Sequence, residues 1–246
     1  RRRFLSKPLE DLFYFCDSAQ EVSAYVKQVS GNGKNNNNDI DIRRTLKELY
    51  RSLVSLEKIG SPAISILGSH AITKDSLDYQ NARLIAREAS RLGISVLYRG
   101  HRGISEAVWK GYQEGKKLSE GSLARAISLW VKDYRDYAPT GDIQLGFTYP
   151  FEPKIASIRH SKAFIFMPGG LGTLDLLFEV LCLMQTQKIN RAPVILVNKD
   201  FWQPLDSWLT HVAQPAGVIS GADLKRYQVV NTAREATEII EEELTN

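Results

Sequence analysis

Residues 163–173 read AFIFMPGGLGT, and a helical pattern, LDLLFEVLCLMQTQ, follows at once. Five apolar residues without polar alternation are the mark of a strand buried on both faces. Three glycines at 169, 170 and 172 let successive backbone N–H groups converge without Cβ obstruction. The helix behind them adds the positive end of its dipole. Strand, glycine turn and helix in that order form an anion-binding βα unit, with Gly169, Gly170, Gly172 and Thr173 as candidate phosphate contacts and Pro168 opening the turn. Thr173 either caps the helix or donates to a phosphate oxygen. The competing reading is a glycine-rich turn that holds nothing.

Working outward, the same alternation recurs. Short apolar runs at 63–67, 94–98, 124–131, 193–197 and 227–230 join the run at 163–167 as candidate strands. Helical patterns fill 76–92, 104–116, 152–161, 173–187, 201–214 and 232–244. Continuously apolar strands separated by helices predict an α/β fold, a doubly wound parallel sheet covered on both faces. In such sheets ligands bind beyond the carboxyl ends of the strands, so the residues just after each strand carry the functional information. After 63–67 comes Gly68-Ser69-His70, which reads either as a tight turn with a helix cap or as a second phosphate contact. After 94–98 comes Arg99-Gly100-His101-Arg102-Gly103. Its arginines either hold an anionic ligand or plug a crevice that glycines would leave open.

Upstream, residues 8–30 and 41–59 read as amphipathic helices, joined by the polar stretch GNGKNNNND at 31–39, a flexible linker. The predicted organisation is therefore an N-terminal helical extension over 1–60 and a sheet domain over 61–246. The net charge of +4 is uneven: residues 1–60 hold 11 Lys/Arg and 8 Asp/Glu, whereas 61–246 hold 21 and 20. The surplus begins at Arg1, Arg2, Arg3 and Lys7, and reads as a solvated or processed end in preference to a nucleic-acid surface. The expected compartment is the cytoplasm or, since the chain begins with Arg1 instead of Met, an organelle after removal of a leader. Cys16 and Cys182 make no disulfide framework. No apolar run approaches the roughly 18 residues of a membrane span. The four histidines lack ligand spacing, and neither a Walker lysine, a GxGxxG with a downstream acid nor a GxSxG elbow occurs. The expectation is a site without metal or cofactor.

The segment PGGLGTLDLLFEVLCLMQTQKI (168–189) resembles the LOG ("Lonely guy") family, phosphoribohydrolases once labelled lysine decarboxylases. ISILGSHAI (64–72), RGHRGISEA (99–107), VILVNKDFWQPLDSWL (194–209) and GVISGADLKRYQVV (217–230) extend the resemblance over about residues 47–245, to the longer LOG type. It implies a Rossmann-like fold, a homodimer and a nucleoside 5′-monophosphate ligand, whose N-glycosidic bond is hydrolysed to free base and ribose 5-phosphate. The family's triple-glycine turn, whose second part corresponds to Gly103, stands here as an arginine-bearing one. The family motif PGGxGTxxE places its glutamate at Leu176. An Arg-Lys pair, its lysine fourteen positions before the motif proline, falls on Pro153 and Lys154. Leucine and proline supply neither the negative charge for an oxocarbenium-like transition state nor a cationic donor. Three readings follow: a catalytically degenerate nucleotide-binding protein; an active hydrolase with Asp175 or Glu179 as substitute carboxylate and Arg99, His101, Arg102 or Arg159 as substitute cation; or a non-enzymatic interaction module.

Overall fold

The computed structural model describes residues 41–119, 121–132 and 140–244. The helix expected at 8–30, the 31–39 linker and the initial arginine cluster lie outside the described residues. Seven parallel strands form one sheet: β1 (Ala63–Leu67), β2 (Ser95–Arg99), β3 (Ala126–Val131), β4 (Ile143–Phe147), β5 (Ala163–Phe166), β6 (Val194–Val197) and β7 (Gln228–Val230). Their spatial order is β4-β3-β2-β1-β5-β6-β7. The chain winds outward from β1 to β4, then returns to the other side of β1 and winds outward again. β1 and β5 therefore flank the switch point where such sheets open a crevice.

Eight α-helices are described: α1 (Ile42–Glu57), α2 (Leu77–Arg91), α3 (Ile104–Lys116), α4 (Phe151–His160), α5 (Leu171–Gln185), α6 (Lys199–Trp208), α7 (Gly221–Leu224) and α8 (Ala233–Leu244). Strand side chains alternate between two covered faces, as the pleat requires. Ile64, Ile66, Val96, Tyr98, Ile165 and Ile195 pack with α2, α3 and α8. On the opposite face Phe164, Phe166 and Leu196 pack with α5 and Trp202. Leu97, Ile127, Leu129 and Phe147 pack there with Leu56 of α1 and Ala156 of α4. A doubly covered parallel sheet has no polar face, which is why its strands read as unbroken apolar runs.

Three features depart from the expected string. β4 was not expected, because Gln144 and Gly146 interrupt its apolar pattern and an edge strand buries less of itself. The helix expected over 201–214 is α6 followed by a π-helical turn at Leu209–Ala213, with Pro204 inside α6. The short α7 falls where only strand and loop were expected. The boundary drawn at residue 60 also cuts through a packed core: Leu56 is 2% exposed and belongs to the same cluster as β2, β3 and β4.

Candidate ligand cleft

A cleft of about 480 Å³ lies across the carboxyl ends of β5, β1, β2 and β3. Three strand-to-helix turns and the end of β3 form its walls. The β1 turn contributes Leu67, Gly68, Ser69 and His70; the β2 turn contributes Arg99, Gly100 and His101. The start of α5 contributes Gly170, Leu171, Gly172 and Thr173, and β3 contributes Leu129, Trp130 and Val131.

Backbone hydrogen bonds stitch the turns together. Ser69 N donates to Pro168 O at 2.9 Å, and Met167 N to Leu67 O at 2.7 Å, joining the β1 and β5 turns. Ile104 N donates to Ser69 O at 3.1 Å, joining the β2 turn to the same centre. This explains Gly103. Its φ is +57°, and a Cβ there would lie 2.4 Å from Ser69 O. Only glycine allows the two turns to meet so closely. Gly103 therefore does not line the cleft but lies behind the wall. Pro168 has the same supporting place, its carbonyl occupied by Ser69.

At the β5 turn, α5 begins without a side-chain cap: Gly170 is the N-cap, and no acidic residue stands in the first turn. Thr173 N and Leu174 N both return to Gly170 O at 3.0 Å. The helix thus begins at the cleft without a side-chain cap, the positive end of its dipole behind it. Thr173, 8% exposed, lines the cleft and lies under Gly169. Ser69 does not cap the next helix: its Oγ accepts Ala71 N within its own turn, while Ser76 caps α2 by accepting Tyr79 N.

The β2 turn leaves the crevice open. Arg99 donates from Nη2 to Pro150 O at 3.2 Å, fixing its guanidinium at the wall. Arg102 is exposed and is not part of the lining. Burial holds the His101 imidazole below its usual pKa, with Arg102 and His70 adding to the effect and Glu106 opposing it.

The positions to which the resemblance assigns the family's charged residues lie elsewhere. Leu176 is 0% exposed and packs with Leu67, Phe164 and Phe166. Pro153 is buried in the first turn of α4, where a missing N–H costs little. Lys154 does not reach the cleft lining. Its Nζ lies 3.0 Å from Asp175 and 3.3 Å from Glu179, between α4 and α5. Burial draws the Lys154 pKa down, but the two carboxylates outweigh it and hold it above the ordinary value. Asp175 and Glu179 are thereby tied to Lys154 outside the cleft. Among the described residues no cluster of His, Cys, Asp and Glu could hold a metal ion. Sequence reasoning missed Leu129, Trp130 and Val131, although the strand-end rule that located the other turns applies to β3 as well.

Fold and cleft together define a doubly wound parallel-sheet protein with a crevice at its switch point. Residues 117–240 match the family described as "Possible lysine decarboxylase". The chain belongs to this family, the LOG family. It is 31% identical to the cytokinin riboside 5′-monophosphate phosphoribohydrolase LOG of Oryza sativa subsp. japonica, across 67% of this chain and 66% of that protein. The chain thus spans just under two thirds of that relative's length. It is 28% identical to the "Probable cytokinin riboside 5′-monophosphate phosphoribohydrolase LOGL3" of the same organism, across 67% of this chain and 76% of that one. Two solved structures share the fold. The molybdenum cofactor binding protein of the phototrophic bacterium Rippkaea orientalis superimposes with a TM-score of 0.54 at 19% identity, over 75% of this chain and 98% of that one. The molybdenum cofactor carrier protein of Chlamydomonas reinhardtii does so with a TM-score of 0.52 at 17% identity, over 76% and 99%.

Proposed function

We propose that this protein binds a nucleoside 5′-monophosphate or another phosphorylated small molecule in the cleft and has lost the hydrolytic activity named for its relatives. The observation that carries the reading is a separation within one helix. The start of α5 keeps an uncapped, glycine-rich anion site on the cleft, while one turn later Leu176 is sealed in the core. Phosphate binding uses backbone, which survives side-chain change; glycosidic cleavage needs a placed carboxylate and a cationic donor. Removing one such charged group costs on the order of a hundredfold or more in rate, and here two positions have lost theirs.

The alternative of an active hydrolase draws support from Arg99 and His101, which lie in the lining and could assist a leaving base. It lacks a carboxylate among the described lining residues. The plugged, non-enzymatic reading is opposed by the open volume over Gly170–Thr173 and by the outward placement of Arg102. We further propose that a second copy of the chain covers the outer face of α5, where Phe178 is 39% exposed. Incubation of the purified protein with AMP, GMP, CMP, UMP and a cytokinin riboside monophosphate should release no base, while at least one of them raises the melting temperature. Base release that persists after contaminating activity is removed overturns the loss of hydrolysis.

A further inference from the structure

The helix α1 meets the rest of the domain on a face poor in hydrocarbon. Thr45 and Ser52 are buried there beside Leu56, and Glu48 of the same face bonds to Lys132 and Thr148. The apolar stripe of the helix is turned aside. Leu46, Leu49, Tyr50 and Leu53 recur at the spacing of one helix flank. Leu49 and Leu53 are half-buried, but Leu46 and Tyr50 are 61% and 70% exposed. Alongside them Arg43, Lys47 and Arg51 make a second row, four residues apart and exposed. Contiguous exposed hydrocarbon rimmed by charge marks an interaction surface.

The charged row selects what covers it. A second copy presenting the same flank would set Arg43, Lys47 and Arg51 against their own counterparts, which is unfavourable. The chain itself supplies a segment of opposite charge. Residues 8–30 hold Glu10, Asp11, Asp17 and Glu21 against Lys27, a net charge of −3. Leu12, Phe15, Ala19, Val22 and Val26 recur there at alternating spacings of three and four, the pattern of a helix that packs on another helix.

The connection is also short enough. Residues 31–40 join that segment to Asp41 at the start of α1, and ten residues reach at most about 35 Å. The flank from Leu46 to Leu53 covers only about 10 Å of helix. The segment is thus tethered beside the flank at an effective concentration of about millimolar, an advantage a separate chain lacks.

We propose that residues 8–30 form a helix that packs on the Leu46–Leu53 flank of α1, so that the chain covers its own exposed stripe. Apolar contact along the two stripes supplies the adhesion, and the basic row draws in the acidic segment.

Hydrogen exchange followed by mass spectrometry on the full chain tests this. Amides within residues 9–29 should exchange at least tenfold more slowly than the unstructured rate. They should lose that protection in Leu46→Glu combined with Tyr50→Glu. Both of those side chains are exposed, so amides of β1 and β5 should keep their wild-type rates. Val22→Glu combined with Val26→Glu is a second variant, which leaves the described domain untouched and should release the same amides. Unprotected residues 9–29 in the wild type, or protection that survives either double variant, overturns the docking. Protection that rises with protein concentration makes a second copy the occupant and overturns it too. So does protection of residues 46–53 that appears only on phosphatidylserine vesicles, since a lipid surface is then the cover.

Discussion

Lys154 Nζ lies 3.0 Å from the Asp175 carboxylate, in a pair that bridges α4 and α5 outside the lining of the cleft. The two acids nearest the position that the LOG resemblance assigns to a glutamate are therefore engaged with Lys154, which the same resemblance assigns to a cationic pair. Both carboxylates are largely exposed, so the pair contributes about 1 kcal/mol or less. Asp175→Asn combined with Glu179→Gln should leave the affinity for a nucleotide within twofold. Calorimetric titration of the double variant checks this; a tenfold loss would place the acids at the ligand after all.

Putting the family's charges back is expected to fail. Leu176 is fully enclosed with Phe164 and Phe166, so Leu176→Glu loses apolar packing and buries a carboxylate. The cost is at least about 3 kcal/mol. For a protein of this size that is a fall in melting temperature of roughly 6–12 °C. Leu176→Glu with Pro153→Arg should melt early and release no base from AMP. A stable double variant that hydrolyses AMP would show that the α5 start reorganises to expose position 176.

Gly172 gives the cleanest separation of fold from binding. It lines the cleft, and a Cβ built on it meets no atom within 4 Å. Alanine also favours a helical position over glycine by roughly 0.5–1 kcal/mol. Gly172→Ala should therefore melt at the same temperature or slightly higher, while its methyl group occupies the space a phosphate needs. Ligand-induced stabilisation should fall by tenfold or more in affinity. Unchanged binding would move the anion away from the start of α5.

The sequence carried the sheet well because burial on both faces leaves strands such as 163–167 with no polar alternation to confuse. It failed at β4, where Gln144 and Gly146 are tolerated by an edge strand. The glycine turns were legible as turns, but sequence does not say which glycine faces a ligand. Gly172 opens on the cleft, whereas Gly103 is spent on the approach of two backbones. The Lys154 position was legible only by family spacing, and its engagement with Asp175 and Glu179 depends on how α4 and α5 pack, a tertiary property. Trp130 went unnoticed because an aromatic at the end of an apolar strand reads as core.

The last expectation concerns α1, which sequence placed in an appendage. Glu48 of α1 accepts from Lys132 Nζ at 2.5 Å, Thr148 N at 2.7 Å, Thr148 Oγ1 at 3.2 Å and Arg44 Nε at 3.3 Å. It thereby ties the helix to the ends of β3 and β4. Burial raises its pKa, but the bonds from Lys132, Thr148 and Arg44 outweigh that and hold it below the usual glutamate value. A carboxylate with a depressed folded-state pKa adds stability that is complete above its unfolded value and vanishes as pH falls through the folded one. Glu48→Gln should thus be less stable at pH 7 by roughly 1–3 kcal/mol. The deficit should begin to shrink as pH drops below the unfolded glutamate value of about 4.3, the two proteins converging once Glu48 is protonated in the fold. Denaturant midpoints measured from pH 7 to pH 3 decide it: curves that stay parallel throughout would mean that Glu48 does not anchor α1 by its charge.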